Sequence, residues 1–515
     1  MTFHRPKLSP FKFPVPSLLD RIETLGNRLP HPALLFAVAT GLVMVLSCVA
    51  SSIGWTVEKA LPGASTTDGA ASILVPINLL NGEGLWWFIS HLVPNFVHFP
   101  PLGIVIVGML GIGVAERSGF IPALLTAVAQ RVGARALTPT VVFLGISSSV
   151  GLDAGYVVLP PIAALLFLLS GRSPLAGIAA AFAGISAGFS ANLVITAVDP
   201  LLAGFTESAA RFVAPDYRVA VTANWWFMAV STFVLTAVGW LVTALWVEPR
   251  TNRIVIQSNA IEQVEPIDRG AMRWALASVV ILSCALLALV FIPDAPLYGT
   301  GSRFPRWVEA TVPILFIAFL IPGVVYGYLS GSFRSNRDVA DAMGKTLSAL
   351  GPYIVLAFFA AQFIEAFKYS QLGEMLAISG GQLLTELAIP IWALLVIFIF
   401  VVMFGNLLVG SASAKYAFFA PVFVPMFMYV GISPELTQVA YRVGDSITNI
   451  VTPLNPYMVI IVALIQRFVA GAGMGTVVAL MLPYAIAFAC VWLAMLLIWV
   501  WLGVPLGPGG GLHYG

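Results

Sequence analysis

Apolar runs close to 20 residues long recur along the chain from residue 33 to residue 503. A helix of that length crosses roughly 30 Å of hydrocarbon. No other feature constrains the fold as strongly, because a segment in lipid must satisfy its backbone N–H and C=O groups internally. Composition agrees. Of 515 residues, 59% are hydrophobic and only 9% charged, with mean hydropathy +0.96. A soluble domain carries about 25% charged residues, so this chain cannot coat itself for water. The expected fold class is an all-α polytopic membrane protein lying in a lipid bilayer. The net charge of +2 gives no ground for a nucleic-acid partner.

Nine crossings are read near 33–55, 100–117, 174–204, 223–247, 272–293, 309–330, 350–368, 434–466 and 476–503. Two further apolar stretches, 137–170 and 389–430, are broken midway by small and polar residues. Each reads as a re-entrant hairpin, which lipid tolerates only where protein or a water-filled cavity covers it. Residues 72–98 mix Trp86, Trp87, His91 and His98 with apolar residues and read as an interfacial segment. Arginine and lysine bias sets orientation. Arg5, Lys7, Lys12, Arg21 and Arg28 precede the first run; Arg117, Arg131 and Arg135, then Arg250, Arg253, Arg269 and Arg273, then Arg334, Arg337 and Lys345 fill three later loops. Alternating crossings put all four groups in the cytoplasm, with the N-terminus there and the C-terminus outside. The location expected is a bacterial inner membrane.

A shift of 260 positions overlays two parts of the chain. Asp153-Ala154 falls on Ser413-Ala414, Tyr156 on Tyr416, Pro161 on Pro421, and Ser173-Pro174 on Ser433-Pro434. Gly184 and Ser186 fall on Gly444 and Ser446; after a four-residue gap, Asp199-Pro200 matches Asn455-Pro456. Five crossings separate equivalent points, and an odd number turns the second unit upside down. Inverted repeats of this kind build many secondary transporters, whose sites lie at mid-membrane where helices are interrupted. The chain then divides into a cytoplasmic segment 1–32, a first half 33–222, scaffold helices 223–349, an inverted second half 350–505 and a tail 506–515.

Each half supplies a hairpin tip, SSSVGLDAG (147–155) or GSASAKYA (410–417), and an interrupted helix, GISAGFSANLVITAVDP (184–200) or GDSITNIVTPLNP (444–456). Glycines permit unwound backbone and prolines stop the hydrogen-bond ladder. Freed carbonyls with the oxygens of Ser148, Asn192, Ser413, Asn449 and Thr452 can hold a small hard cation such as Na⁺. Half-helix N-termini suit an anion. The plain alternative is that such side chains only glue helices together. Ionisable groups at this depth are costly and commonly functional: Asp153, Lys415, Asp199, Arg442 and Asp445 are the set. Arg442 and Asp445 lie three apart on one helical face. They read either as a structural ion pair or as an anion-binding arginine beside a coupling acid.

Several motifs carry nothing. GISAG (184–188) fits a serine-nucleophile pattern but sits in a membrane helix, away from His4, His31, His91, His98 and His513. MGKT (343–346) has Val339 where a phosphate-binding loop needs its first glycine. Cys48, Cys284 and Cys490 are far apart in apolar runs and suggest neither disulfides nor a thiolate metal site. No enzyme and no resident cofactor is expected, only a coupling Na⁺ or H⁺.

The stretches SAGFSANLVITAVDPLLAG (186–204), LGPYIVLAFFAAQF (350–363), GSASAKYAFFAPVFVPM (410–426) and YRVGDSITNIVTPLNPY (441–457) resemble the p-aminobenzoyl-glutamate transporter (AbgT) family. That resemblance implies a homodimer with nine spans and two hairpins per protomer. It implies cation-driven transport of p-aminobenzoyl-glutamate or of sulfonamide-type antimetabolites. Family site positions map to Asp199, Ser413, Tyr416, Pro434, Arg442, Asp445 and Pro453, with tyrosine at 416 where tryptophan is common. The broken-helix pattern also resembles elevator carriers, at fold level only. The expected substrate site joins Ser413, Tyr416, Pro434, Arg442, Pro453, Asn192 and Asn449, with Asp199, Asp445 and Asp153 for cation coupling. A dicarboxylate carrier, and after it a passive channel, are the alternative readings.

Overall fold

The computed structural model describes residues 32–59, 72–133, 135–151, 154–252, 268–452, 454–469 and 472–515. The basic residues before position 32, Arg253, Asp153 and Pro453 lie outside the described residues. The chain is built of helices. The first part runs α1 (Pro32–Ser52), α2 (Gly82–Val97), α3 (Pro100–Arg117), α4 (Phe120–Gln130), α5 (Leu137–Ser147), α6 (Ala154–Leu169), α7 (Pro174–Phe182) and α8 (Val198–Ala210). The middle part runs α9 (Trp225–Val242), α10 (Glu248–Thr251), α11 (Arg269–Phe291), α12 (Arg306–Glu309), α13 (Thr311–Ser330) and α14 (Asn336–Ala349). The last part runs α15 (Gly351–Tyr369), α16 (Leu372–Glu386), α17 (Ile391–Asn406), α18 (Ala412–Tyr429), α19 (Pro434–Thr448), α20 (Met458–Gln466) and α21 (Met474–Trp501). A two-stranded ribbon pairs Val57–Lys59 antiparallel with Ser72–Leu74.

Six continuous helical stretches among the described residues are long and apolar enough to cross a bilayer: Ala33–Ser52, Gly82–Arg117, Trp225–Thr251, Arg269–Phe291, Thr311–Ser330 and Met474–Trp501. A seventh arises if α14 and α15, bent by 47° at Leu350, count as one span. The remaining expected crossings, 174–204 and 434–466, are not single rods. α7 ends in a π-helical turn, Ala183–Ala187, and irregular backbone follows until α8. α19 stops at Thr448, and helix resumes only at Met458. The stretches 137–170 and 389–430 form helical hairpins, α5–α6 and α17–α18.

Within the segment read as interfacial, residues 82–97 are helical. They form a regular helix, started by Asn81, whose Oδ1 accepts from Gly84 N at 2.7 Å. Asn95 on that helix is buried and donates to Gln362 Oε1 at 3.0 Å, and the Trp87 ring stacks on Tyr369 at 3.9 Å. Trp86, Ile89, Val93 and Val97 form the exposed apolar face of the helix. His91 and His98 each bond a main-chain carbonyl four residues back. Among the described residues no three His, Cys, Asp or Glu side chains converge on a metal position.

Lipid and protein faces separate cleanly. α11 buries only Ala271, Met272 and Ala275, so its apolar surface meets lipid or a second protein. α19 is the reverse, with every residue from Pro434 to Thr448 buried although it carries Glu435, Arg442 and Asp445. A polar helix is sealed in the centre, and apolar helices shield it. The tail is part of this packing: Ser433 N and Oγ donate to Leu512 O (3.1 Å) and Gly511 O (2.7 Å). Phe227 N bonds Leu506 O at 3.0 Å, and Thr222 Oγ1 bonds Pro508 O at 2.8 Å.

Two glycines bring the broken helices onto the hairpins. A Cβ on Gly184 would stand 2.5 Å from Val142 O, and one on Gly444 would stand 2.8 Å from Ile399 O and 2.9 Å from Val402 Cβ. Gly344, on exposed α14, faces open space. Gly184→Val and Gly444→Val are therefore expected each to cost about 1–3 kcal/mol through overpacking. Gly344→Ala should instead be neutral or add up to ~1 kcal/mol of helix stability. Thermal unfolding of the three purified variants checks the contrast.

Candidate functional site

The two helix breaks meet. Arg442, on α19, is completely buried, and its Nη1 lies 2.7 Å from Asp199 Oδ1 at the start of α8. Nη2 donates to Ser190 O, inside the first break, at 2.9 Å. Among the described residues Nε has no acceptor. Asp199 is held from its other side: Oδ2 accepts from Thr196 N at 2.7 Å and from Thr196 Oγ1 at 2.9 Å. An acid in the first turn of a helix also suits the helix dipole. Three elements thus fix one ion pair across the junction.

Further bonds cross between the breaks. Ser190 N donates to Ser446 Oγ at 3.2 Å, and Asn455 Nδ2 donates to Ser186 Oγ at 2.9 Å. Ser186 and Ser446 are the two serines matched by the 260-residue shift, and each accepts from the opposite half. The Tyr156 ring stacks on Tyr457 at 4.0 Å, and its hydroxyl lies 3.3 Å from Ser186 Oγ. This ties the first hairpin to the second break.

Arg442 and Asp445 do not pair with each other, which corrects the ion-pair reading of the sequence. Sharing a helical face brings two side chains near each other, but each charge here takes a partner from a different packed element. Asp445 Oδ1 is 2.6 Å from Lys415 Nζ on α18, and Tyr441 OH reaches the same oxygen at 3.3 Å. Lys415 also donates to Asn406 Oδ1. Asn406 Nδ2 gives to Asp445 O at 2.7 Å, Thr448 Oγ1 at 2.8 Å and Asn449 Oδ1 at 2.8 Å.

Tyr416 is fully buried, with its ring 4.3 Å from that of Tyr441 and edge-on to Phe205 at 6.5 Å. Its hydroxyl is 2.7 Å from Thr206 Oγ1, which also lies 2.8 Å from both Gln438 Oε1 and Leu202 O. Thr206 has one proton and two other acceptors, so Tyr416 is the donor in that pair. Pro434 opens α19 behind Ser433, whose Oγ accepts from Leu436 N at 3.0 Å. Next to it, buried Glu435 accepts from Tyr217 OH at 3.1 Å on both oxygens.

The five proposed Na⁺ ligands fall into separate places. Ser149 Oγ bonds Asn192 Oδ1, while Ser148 Oγ turns back to Gly145 O at 2.7 Å. Ser413 Oγ lies 3.2 Å from Ser411 Oγ. Asn449 belongs to the Asn406 network, and Thr452 Oγ1 accepts from Leu454 N at 3.3 Å. Asn192 and Asn449 thus belong to two polar nests, one at each break. Sequence reasoning missed Asn406, Thr206, Gln438, Tyr441 and Ser190. Asn406 was visible as an isolated polar residue in an apolar stretch and the others as members of polar runs, but nothing local named their partners.

Two broken helices, two helical hairpins and buried opposite charges at their junction define the fold of a membrane transporter. The "AbgT putative transporter family" matches residues 17–514, and the chain belongs to that family. It is 35% identical over 496 residues to the p-aminobenzoyl-glutamate transport protein of Escherichia coli (strain K12), covering 95% of each chain. The YdaH transporter of Alcanivorax borkumensis superposes with TM-score 0.88 at 43% identity, covering 93% of this chain and all of its own. MtrF of Neisseria gonorrhoeae, described as illuminating a class of antimetabolite efflux pumps, gives TM-score 0.88 at 39% identity, over 96% of this chain and all of its own.

The Arg442–Asp199 geometry makes an asymmetric prediction. Arg442→Ala leaves Asp199 with two donors from Thr196; Asp199→Ala leaves a buried guanidinium on Ser190 O alone. Breaking a buried pair costs about 3–5 kcal/mol. Asp199→Ala should therefore be the more destabilising, and the double variant should fall short of the sum by about 1–3 kcal/mol. A double-mutant cycle on thermal unfolding tests this, and strict additivity would contradict the pairing.

Proposed function

We propose that the chain is a secondary active transporter that carries p-aminobenzoyl-glutamate or a sulfonamide-type antimetabolite across the inner membrane, driven by a H⁺ or Na⁺ gradient. The observation that carries this reading is Arg442. It is wholly buried where the two breaks meet, and one of its guanidinium nitrogens is unused. Burying an unused donor on a charged group is costly. An oxyanion of a carboxylate or sulfonyl-type group would satisfy it, and charge-assisted bonds to arginine are among the stronger recognition contacts. Asn192 and Asn449 stand at the two breaks, with Ser413, Tyr416 and Pro434 on the neighbouring hairpin and helix end. Pro453 and Asp153 complete the proposed set from positions outside the described residues.

Charge balance supports coupling. The junction holds Arg442 and Lys415 against Asp199 and Asp445, two positive and two negative groups. An anion arriving at Arg442 leaves this core over-negative, and an uncompensated buried charge costs several kcal/mol. A cation moving with the anion removes that cost. Asp199, which shares Arg442, and Asp445, which shares Lys415, are the acids through which the cation acts. The halves 33–222 and 350–505 act as an inverted repeat in this reading, with the N-terminus cytoplasmic and the protomers dimeric. The matched close approaches of Gly184 and Gly444 and the reciprocal Ser186 and Ser446 bonds support it.

The test is counterflow of labelled p-aminobenzoyl-glutamate in proteoliposomes, with Na⁺ and pH gradients imposed separately. Saturable flux that follows one gradient is expected. Arg442→Ala should weaken substrate binding at least about 30-fold, corresponding to ~2 kcal/mol or more for truncating a buried charged partner. Wild-type flux in both Arg442→Ala and Asp199→Ala would remove this site, and flux indifferent to either gradient would remove the coupling.

A further inference from the structure

Lys415, Asp445 and Asn406 are sealed in the protein, with 2%, 1% and 0% of their surfaces exposed. Lys415 Nζ faces Asp445 Oδ1 at 2.6 Å and also Asn406 Oδ1. The Asn406 amide is oriented by its other end, where the two Nδ2 protons are shared among Asp445 O, Thr448 Oγ1 and Asn449 Oδ1 at the end of α19. Its carbonyl oxygen is therefore turned toward the ammonium. A carboxylate oxygen and an amide oxygen aimed at one positive centre are the donor types that hold a monovalent hard cation.

The architecture does not require this pair. Under the 260-residue shift, Lys415 falls on Gly155, Asp445 on Ile185 and Asn406 on Ile146. The equivalent contact exists in the first half, where a Cβ on Gly155 would lie 3.8 Å from Ile185 Cγ1. One half makes this hairpin-to-helix contact with neutral groups and the other with an ion pair. Well-packed apolar groups commonly replace a buried ion pair without loss of stability, so packing alone does not account for the charges. The nest at the first break is built from uncharged oxygens, with Ser149 and Asn192 facing each other.

We infer that the Lys415 ammonium is a tethered cation: it occupies a monovalent-cation site formed by Asp445 and Asn406 at the second break. Of the two nests, the first-break pair Ser149 and Asn192 is then the one left for free Na⁺. Taking the ammonium away opens the second site to a cation from solution. This inference rests on reading the breaks as coupling elements, but its test involves no substrate. Its failure would leave the counterflow result, and the transport reading, untouched.

The experiment measures thermal unfolding of the purified full-length protein in the chlorides of Na⁺, K⁺, methylammonium and choline at constant ionic strength. The wild type should melt at the same temperature in methylammonium as in choline. Lys415→Ala should melt lower in choline and recover in methylammonium, Na⁺ or K⁺. The recovery should be about 1–3 °C per tenfold rise in cation above its dissociation constant, as expected for a ligand that binds only the folded state. The double variant Lys415→Ala with Asp445→Ile, which copies the neutral contact of the first half, should fold and lose the cation dependence. Equal melting of Lys415→Ala in all four salts overturns the inference. So does failure of Lys415→Ala to fold even in methylammonium while the double variant folds, because a free cation would then not replace the ammonium. A double variant that does not fold overturns it too, since the pair would then be a requirement of the fold.

Discussion

The Arg442–Asp199 ion pair is the contact on which the rest of the site depends. Its partners are 243 residues apart and lie on two different broken helices. Unwound backbone in a membrane protein survives only if its freed polar groups find partners, and this pair supplies several at once. Arg442 reaches both Asp199 and Ser190 O in the first break, while Thr196 closes the loop back onto Asp199. A neutral side chain at 442 could not bridge these groups, and a lysine could not fork between two acceptors in fixed geometry. The same bond that stabilises the junction leaves a guanidinium edge open. In the proposed function, structure and recognition therefore draw on one side chain.

The positions that the 260-residue shift pairs divide the chemistry unequally. Arg442, Asp445, Lys415 and Asn406 in the second half correspond to Phe182, Ile185, Gly155 and Ile146 in the first. Three of these four positions exchange a large apolar side chain for a charged or polar one, and all four described counterparts are buried. Asp199 is the main charge that the first half contributes to the junction. Burying charge is expensive, and concentrating it on one half lets the other pack as ordinary apolar helix. Paired positions with unmatched charge give the junction a polarity that equal residues at both would lack.

Spans and breaks were legible in the sequence because each follows from local physics. Length and hydropathy mark α1, α9, α11, α13 and α21, and clustered Gly, Ser, Asn and Pro mark the interruptions after Ala187 and Thr448. The 260-residue shift pairs Gly184 with Gly444, and both make close approaches to a neighbouring helix. Ion-pair partners were not legible. Spacing along α19 suggested Arg442 with Asp445, whereas packing gave one to Asp199 and the other to Lys415. Local spacing says which side chains share a face, but only the tertiary fold says what that face meets. The partners of Asn406 and Gln438 were invisible for the same reason. The tail 506–515 reads as a loose glycine-rich end, yet Gly507 and Gly510 let it lie directly on the backbone of Thr222 and Ala223. A glycine required for close approach looks, in sequence, like one required for flexibility.

Position 416 shows how a single exchange is absorbed. Tyrosine places a hydroxyl where the indole of a tryptophan would extend its ring. A buried hydroxyl needs a partner, and Thr206 provides the acceptor. Thr206 spends its own proton on Gln438 or Leu202, so the tyrosine proton has one destination, which orients the hydroxyl and anchors that end of the ring. Tyr441 then covers one face and Phe205 meets an edge. With its hydroxyl committed to α8 and its ring enclosed, Tyr416 ties α18 to both α8 and α19.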